Sequence, residues 1–230
     1  MTIKEPDTES QDACDLNRCF LCRHCLPEWQ DAINGARKML AFKKGQTIFR
    51  EGDEVRGIYF INDGAVKVHQ SWGDGKEFIL RFATAGAILG HRGYSAGTAF
   101  PISATALENT RVCFITTEFL EATFSANPPF VYTMMRLYAS ELQQAERRIR
   151  DLAVQPVKTR VADALFTIRD IFGTGDAGFI RLPITRLDIA SYAGTTYEAV
   201  FRLMSEWRDK GWIATAGKKF RINDETKLRS

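Results

Sequence analysis

Residues 186–207 read RLDIASYAGTTYEAVFRLMSEW, and the fold turns on this stretch. Apolar residues fall at Leu187, Ile189, Ala190 and Ala193, and again at Val200, Leu203 and Met204. Both groups have the spacing of a helix face. Between them lies Ala193-Gly194-Thr195-Thr196. Gly194 can take the left-handed conformation that ends one helix, and a threonine can cap the next. Ala190, small and four residues before the turn glycine, lets the two helices close on each other. Two short helices joined by a tight glycine turn predict a helix-turn-helix, whose second helix can enter a DNA major groove. A helical hairpin in some other core shares this pattern, so the outward side chains have to decide.

Those side chains favour DNA. Tyr197, Glu198, Phe201 and Arg202 lie off the Val200/Leu203/Met204 stripe, at the N-terminal end of the second helix. Glu198 and Arg202 are four apart and share a face. Arginine can bond guanine O6 and N7 together, glutamate can accept from cytosine N4, and an aromatic ring can touch a thymine methyl. The plainer alternatives are a surface ion pair and a core phenylalanine. Arg186, Thr195 and Thr196 complete the expected contact set around the turn.

Charge placement agrees weakly. From residue 156 onward there are 13 Lys/Arg against 9 Asp/Glu, and before it 18 against 19. A slightly basic C-terminal module on a neutral one suits phosphate contacts. The N-terminus, MTIKEPDTESQD, has no apolar signal core, and no run of about 18 apolar residues occurs. A cytoplasmic protein with no membrane partner is expected. No Ser/His/Asp or paired-carboxylate constellation is visible and only three histidines occur, so an enzyme is not expected.

Cys19, Cys22 and Cys25 form a C-x2-C-x2-C run, with Cys14 five residues earlier and Cys113 far downstream. In a reducing compartment such a group points to metal before disulfide. Iron-sulfur proteins use this spacing because successive thiolates reach separate irons. Zinc with His24 as a nitrogen ligand, or a set of unliganded thiols, stays open. Either metal needs a fourth ligand, for which Cys14 and Cys113 compete.

From residue 40 to 115, glycine and Asn/Asp turns recur every 6 to 12 residues between short β-rich runs at 47–49, 58–61, 65–69, 78–82, 102–107 and 111–115. That spacing predicts a compact antiparallel sandwich or barrel. A helix over residues 129–152 follows. Val131, Met135, Tyr138, Leu142, Ala145, Ile149 and Leu152 alternate four and three apart, a heptad seam without a charge in it. Gln155-Pro156 ends it. An amphipathic helix at 157–172, a loop at 173–176 and a strand at 179–182 come next. Two strands around Gly217-Lys218-Lys219 then form a wing whose lysines can reach phosphates.

Three segments carry a family resemblance: KGQTIFREGD at 44–53, IYFI at 58–61 and GAVK at 64–67. With the long helix and helix-turn-helix in this order, the chain resembles the CRP/FNR regulators over residues 19–223. The resemblance implies an α+β fold: an N-terminal double-stranded β-roll of the cyclic-nucleotide-binding jelly-roll type, a long dimerisation helix and a C-terminal winged helix-turn-helix. It implies a cysteine-rich segment at 1–27, a sensor β-roll at 28–127, a dimerisation helix at 128–154 and a DNA-binding domain at 155–230. The cysteine group, Cys25-Leu26-Pro27 and Leu107-Glu108…Val112-Cys113 are closer to the FNR branch. That branch implies a [4Fe-4S] cluster on Cys19, Cys22, Cys25 and Cys113, although its last clustered gap is wider than the one here. Cyclic AMP is not expected. The matching cassette, Gly90-His91-Arg92-Gly93-Tyr94-Ser95 to Phe100-Pro101-Ile102-Ser103, lacks the glutamate and the arginine a cyclic phosphate needs. His91 and Arg92 are read there as surface loop residues.

The reading is a homodimeric transcription regulator on palindromic DNA, with half-sites about 34 Å apart. It senses oxygen, nitric oxide or redox state by reorienting an already formed dimer. A metal-free regulator and an iron-sulfur redox protein are the alternatives. Contact of the 72–77 turn with RNA polymerase rests on family analogy.

Overall fold

The computed structural model describes residues 7–8, 18–73, 76–94 and 98–229. Its strands are β1 (Asp7–Thr8), β2 (Lys38–Phe42), β3 (Thr47–Phe49), β4 (Gly57–Asp63), β5 (Ala65–Trp72), β6 (Lys76–Thr84), β7 (Ile88–Leu89), β8 (Ser103–Ala106) and β9 (Thr110–Thr116), then β10 (Ile213–Ala216) and β11 (Lys219–Ile222). Its helices are α1 (Phe20–His24), α2 (Gln30–Ala36), α3 (Thr117–Ala126), α4 (Pro128–Val154), α5 (Val157–Phe172), α6 (Arg186–Ala193), α7 (Tyr197–Asp209) and α8 (Glu225–Arg229). Two units are distinguished, residues 1–75 with 82–141, and residues 76–81 with 142–230.

The first unit is the β-roll. One sheet runs β1-β2-β9-β4-β7 and the other β3-β8-β5-β6, and the register given for their pairs is antiparallel. Alternation drives it: β5 buries Ala65, Val66 and Val68 while Lys67 stays half exposed. Gly64 turns the β4–β5 hairpin at φ +97, where a Cβ would also press on Thr110. The expected strands are present, each within a few residues of its bounds. The periodicity had no signal for β7, too short to alternate, or for α3, which Thr116 caps by accepting from the Phe119 N–H.

The second unit is a winged helix-turn-helix. Val161, Leu165 and Ile168 of α5 are fully buried, as are Val200 and Trp207 of α7 and Phe220 of β11. The β10–β11 hairpin pairs Ile213 with Ile222 and Ala216 with Lys219. Residues 179–182 do not form the expected strand. They contribute one bridge, Thr174 to Ile180, beside a 3-10 turn at Asp176–Gly178. A second correction concerns Leu187, expected on the buried face of α6 but exposed, because Ile189, Ala190 and Ala193 alone fill the stripe.

Arg148, which the heptad pattern puts off the seam, is an organising residue of this unit. Its Nη1 donates to the Leu80 carbonyl, and its Nη2 to the carbonyls of Ile79 and Tyr192. Its guanidinium lies 4.0 Å from the Tyr192 ring and 5.0 Å from the Phe78 ring. Burial lowers its pKa from the usual arginine value, and Tyr192 acts against that shift.

Candidate nucleic-acid interface and thiol cluster

The turn between α6 and α7 forms as its residue types require. Gly194 sits at φ 62, ψ 47, and the Thr195 N–H reaches back to the Ala190 carbonyl at 3.0 Å. A side chain at 194 would be strained by this φ, and its Cβ would lie 2.6 Å from Leu152 Cδ2. Arg160 Nη1 closes the end of α6 by donating to the carbonyls of Ala193 and Gly194. Thr196 caps α7, its hydroxyl accepting from the Ala199 N–H at 3.2 Å. Thr185 caps α6 in the same way through Asp188.

This geometry leaves the start of α7 outward. Glu198 and Arg202 are exposed on one face, and Tyr197 and Phe201 are 44% and 49% exposed. Phe201 is therefore not core. Thr196 is exposed, Thr195 and Arg186 are half-buried, and the Arg186 guanidinium lies 5.5 Å from the Phe201 ring. Lys218 and Lys219 stand exposed at the wing, whose turn is made by Gly217 at φ +59. Such a surface offers base-edge donors and acceptors beside phosphate-seeking cations.

The cysteines are gathered by packing. Cys19, Cys22, Cys25 and Cys113 are thiols, all buried, in one apolar cluster with Phe60, Phe130 and Met134. Phe20 on α1 stacks 6.5 Å from Phe60, and Phe60 pairs in register with Cys113. The cysteine segment is pinned further. The Leu26 N–H donates to Asn127 Oδ1 at 2.8 Å, Trp29 Nε1 to Thr123, and Gln30 Nε2 to the Cys22 carbonyl. His24 Nδ1 lies 2.8 Å from the Phe20 carbonyl, on its own helix. Burial, with Cys19 adding to it, pushes the Cys25 thiol up to about 12. It therefore keeps its proton at neutral pH unless a metal replaces that proton.

Among the described residues no three Cys, His, Asp or Glu side chains stand close enough to share one metal ion. The apolar, thiol-only setting offers the donor type that would hold an iron-sulfur cluster. Cys14 lies outside the described residues.

Cassette residues His91 and Arg92 are not surface loop residues as expected. His91 is 1% exposed, with Nε2 3.0 Å from Glu141 Oε2, and Arg92 reaches the same carboxylate at 3.0 Å. The Tyr138 hydroxyl donates to the His91 carbonyl at 2.6 Å. An incoming phosphate has to displace Glu141. Sequence pattern missed this because Glu141, fifty residues away, looks like any solvated helix glutamate.

The expected seam of α4 is largely bare. Met135, Leu142 and Ile149 are 62%, 61% and 67% exposed, Ala145 is exposed, and Val131 is partly so. Tyr138 is held by His91 within the chain, and Leu152 is half-buried near Gly194. No described helix is long and apolar enough to cross a membrane.

Comparison with known proteins agrees with this architecture. Residues 39–127 match the cyclic nucleotide-binding domain model, and residues 159–230 the Crp-like helix-turn-helix domain model. The fumarate and nitrate reduction regulatory protein of Escherichia coli (strain K12) is 30% identical over 220 residues, covering 91% of this chain and 87% of that protein. The chain belongs to the CRP/FNR family of transcription regulators. The Salmonella typhimurium protein of the same name matches equally. Among solved CRP/FNR-type folds, FixK2 from Bradyrhizobium japonicum superposes with a TM-score of 0.73 at 24% identity, covering 84% of this chain and 95% of that one. The c-di-GMP responsive regulator CLP from Xanthomonas campestris gives 0.74 at 18%, covering 84% and 96%. This CRP/FNR chain is a DNA-binding transcription regulator, and not an enzyme.

Proposed function

We propose that this regulator acts as a homodimer that links the state of a thiolate-held [4Fe-4S] cluster to DNA binding. One observation carries the reading: the four cysteines share a buried cluster with Phe130 and Met134 of α4. Whatever changes at the thiols is thus felt at the root of the seam helix. Cys19, Cys22, Cys25 and Cys113 are the ligands, with Cys14 the alternative to Cys113. Bound there, the cluster supplies iron that reacts with oxygen or nitric oxide or changes redox state. The curated relatives named for fumarate and nitrate reduction support a signal of this class.

The chain's own residues do the remainder. Phe20 and the Leu26–Asn127 bond hold the cysteine segment against the sheet and the start of α4. The bare row Met135, Leu142, Ala145 and Ile149 packs on the same row of a second copy, as exposed apolar stripes of this length do. Because no charge weakens that row, the signal reorients a standing dimer. Arg202 and Glu198 then read base edges in each half of a palindrome, while Arg186, Thr195, Thr196, Lys218 and Lys219 contact phosphates. The regulator works in the cytoplasm. The 72–77 turn is the candidate contact for RNA polymerase. The working parts are residues 1–27, 28–127, 128–154 and 155–230.

Protein purified without oxygen should be brown, contain iron and sulfide in equal amounts, and bleach in air with a change in affinity for its selected duplex. A colourless, iron-free anaerobic preparation that still selects a duplex would end the cluster reading and leave the regulator intact.

A further inference from the structure

Two aromatic rings stand in water at the start of α7. Tyr197 and Phe201 are four residues apart and stack with centroids 6.2 Å apart at 23°. The core of the unit makes no use of them, because Val200, Leu203, Met204 and Trp207 fill the buried face. At about 100° per residue, the Tyr197–Phe201 row runs beside the Glu198–Arg202 row and parallel to it. The exposed start of this helix, Tyr197 to Arg202, is therefore half charged and half aromatic. The rings are also held. Phe201 has Tyr197 on one neighbour position and the Arg186 guanidinium at 5.5 Å. Arg186 Nε is buried with no hydrogen-bond partner among the described residues, and its guanidinium faces the Phe201 ring.

Large apolar groups left bare and pre-positioned on a binding face mark where apolar surface is to be covered. In the major groove, thymine alone among the four bases presents a methyl group. We infer that Tyr197 and Phe201 are specificity-determining residues that cover thymine 5-methyl groups beside the base pairs read by Arg202 and Glu198. This rests on the reading of α7 as the groove helix. The half-site is then a guanine or cytosine contact flanked by thymine, with Arg186 holding Phe201 in place.

The test uses the full-length protein and the duplex it enriches from a random library. Each half-site thymine is replaced in turn by deoxyuridine, which removes the methyl and keeps the pairing. Wild-type affinity should fall about fourfold at one or two positions, the size expected for one uncovered methyl. Phe201→Ser and Tyr197→Ser, both surface changes checked by circular dichroism, should bind thymine and uracil duplexes alike. Both should keep the base preference that Arg202→Ala loses. Equal wild-type affinity for the two duplexes, or an unchanged methyl effect in both serine variants, would overturn the inference while α7 remains the reader. A library with no enriched duplex would overturn the groove assignment, and the inference with it.

Discussion

Gly194 does two jobs that no other residue can combine. Its φ of +62 lies in the left-handed region, and the space where a Cβ would go is taken by Leu152. Gly194→Ala should cost about 2–4 kcal/mol, adding left-handed strain to overpacking. Urea unfolding should show it, and a loss below about 0.5 kcal/mol would mean that the turn relaxes freely. Glu141 is the opposite kind of residue, unremarkable in sequence and decisive in place. Its carboxylate serves both His91 and Arg92. Glu141→Gln should lower stability by about 1–3 kcal/mol, the worth of hydrogen bonds to a charged group. Thermal unfolding that matches wild type would show that His91 and Arg92 find other partners. Arg202→Ala should weaken the selected duplex by about 1–3 kcal/mol and relax preference at one base pair. An unchanged preference in the library selection would remove Arg202 as a base reader.

At the scale of the element, α4 carries the most consequence. Its 27 residues run unbroken from the thiol cluster, through Phe130 and Met134, to Arg148 and Leu152 in the second unit. Among the described residues, most of its apolar row is uncovered: Met135, Leu142, Ala145 and Ile149 are exposed. Leu142→Asp puts a charge in the middle of that row, where burial against a second copy is costly. Light scattering should then report monomer at micromolar concentration, with circular dichroism unchanged because Leu142 is exposed in the single chain. A variant that stays dimeric would move the interface off this helix. The α7 helix shows how capping and packing divide the work. Thr196 starts it, Trp207 anchors it in the core, and Tyr197, Glu198, Phe201 and Arg202 between them stay exposed.

Across the whole molecule, the cysteine run and the distant Cys113 meet only because the sheet brings them together. Cys113 stands opposite Met39 and Phe60 in register, and α1 docks by Phe20 on Phe60. Cys113→Ser should therefore abolish the anaerobic absorption and iron content if Cys113 is the fourth ligand. Retention of a full cluster would transfer that role to Cys14.

Local chemistry made much of this legible beforehand. The glycine turn, the threonine cap and, Leu187 apart, the two helix stripes follow rules of spacing, and the chain forms them without reference to distant residues. So do the strands from 47 to 115, whose turns are marked by glycine and Asn/Asp. What spacing could not tell was which polar residues would be buried and which apolar ones bare. His91 went inside because Glu141, fifty residues away, supplies a carboxylate partner there. Leu187 and Phe201 stayed outside because the other stripe residues of their helices already filled the core. Sequence by itself determined the order and type of most elements, since those depend on neighbours a few residues apart. Only the tertiary structure decided which side chains share a cluster and which face is left open, because those depend on where separate elements come to lie.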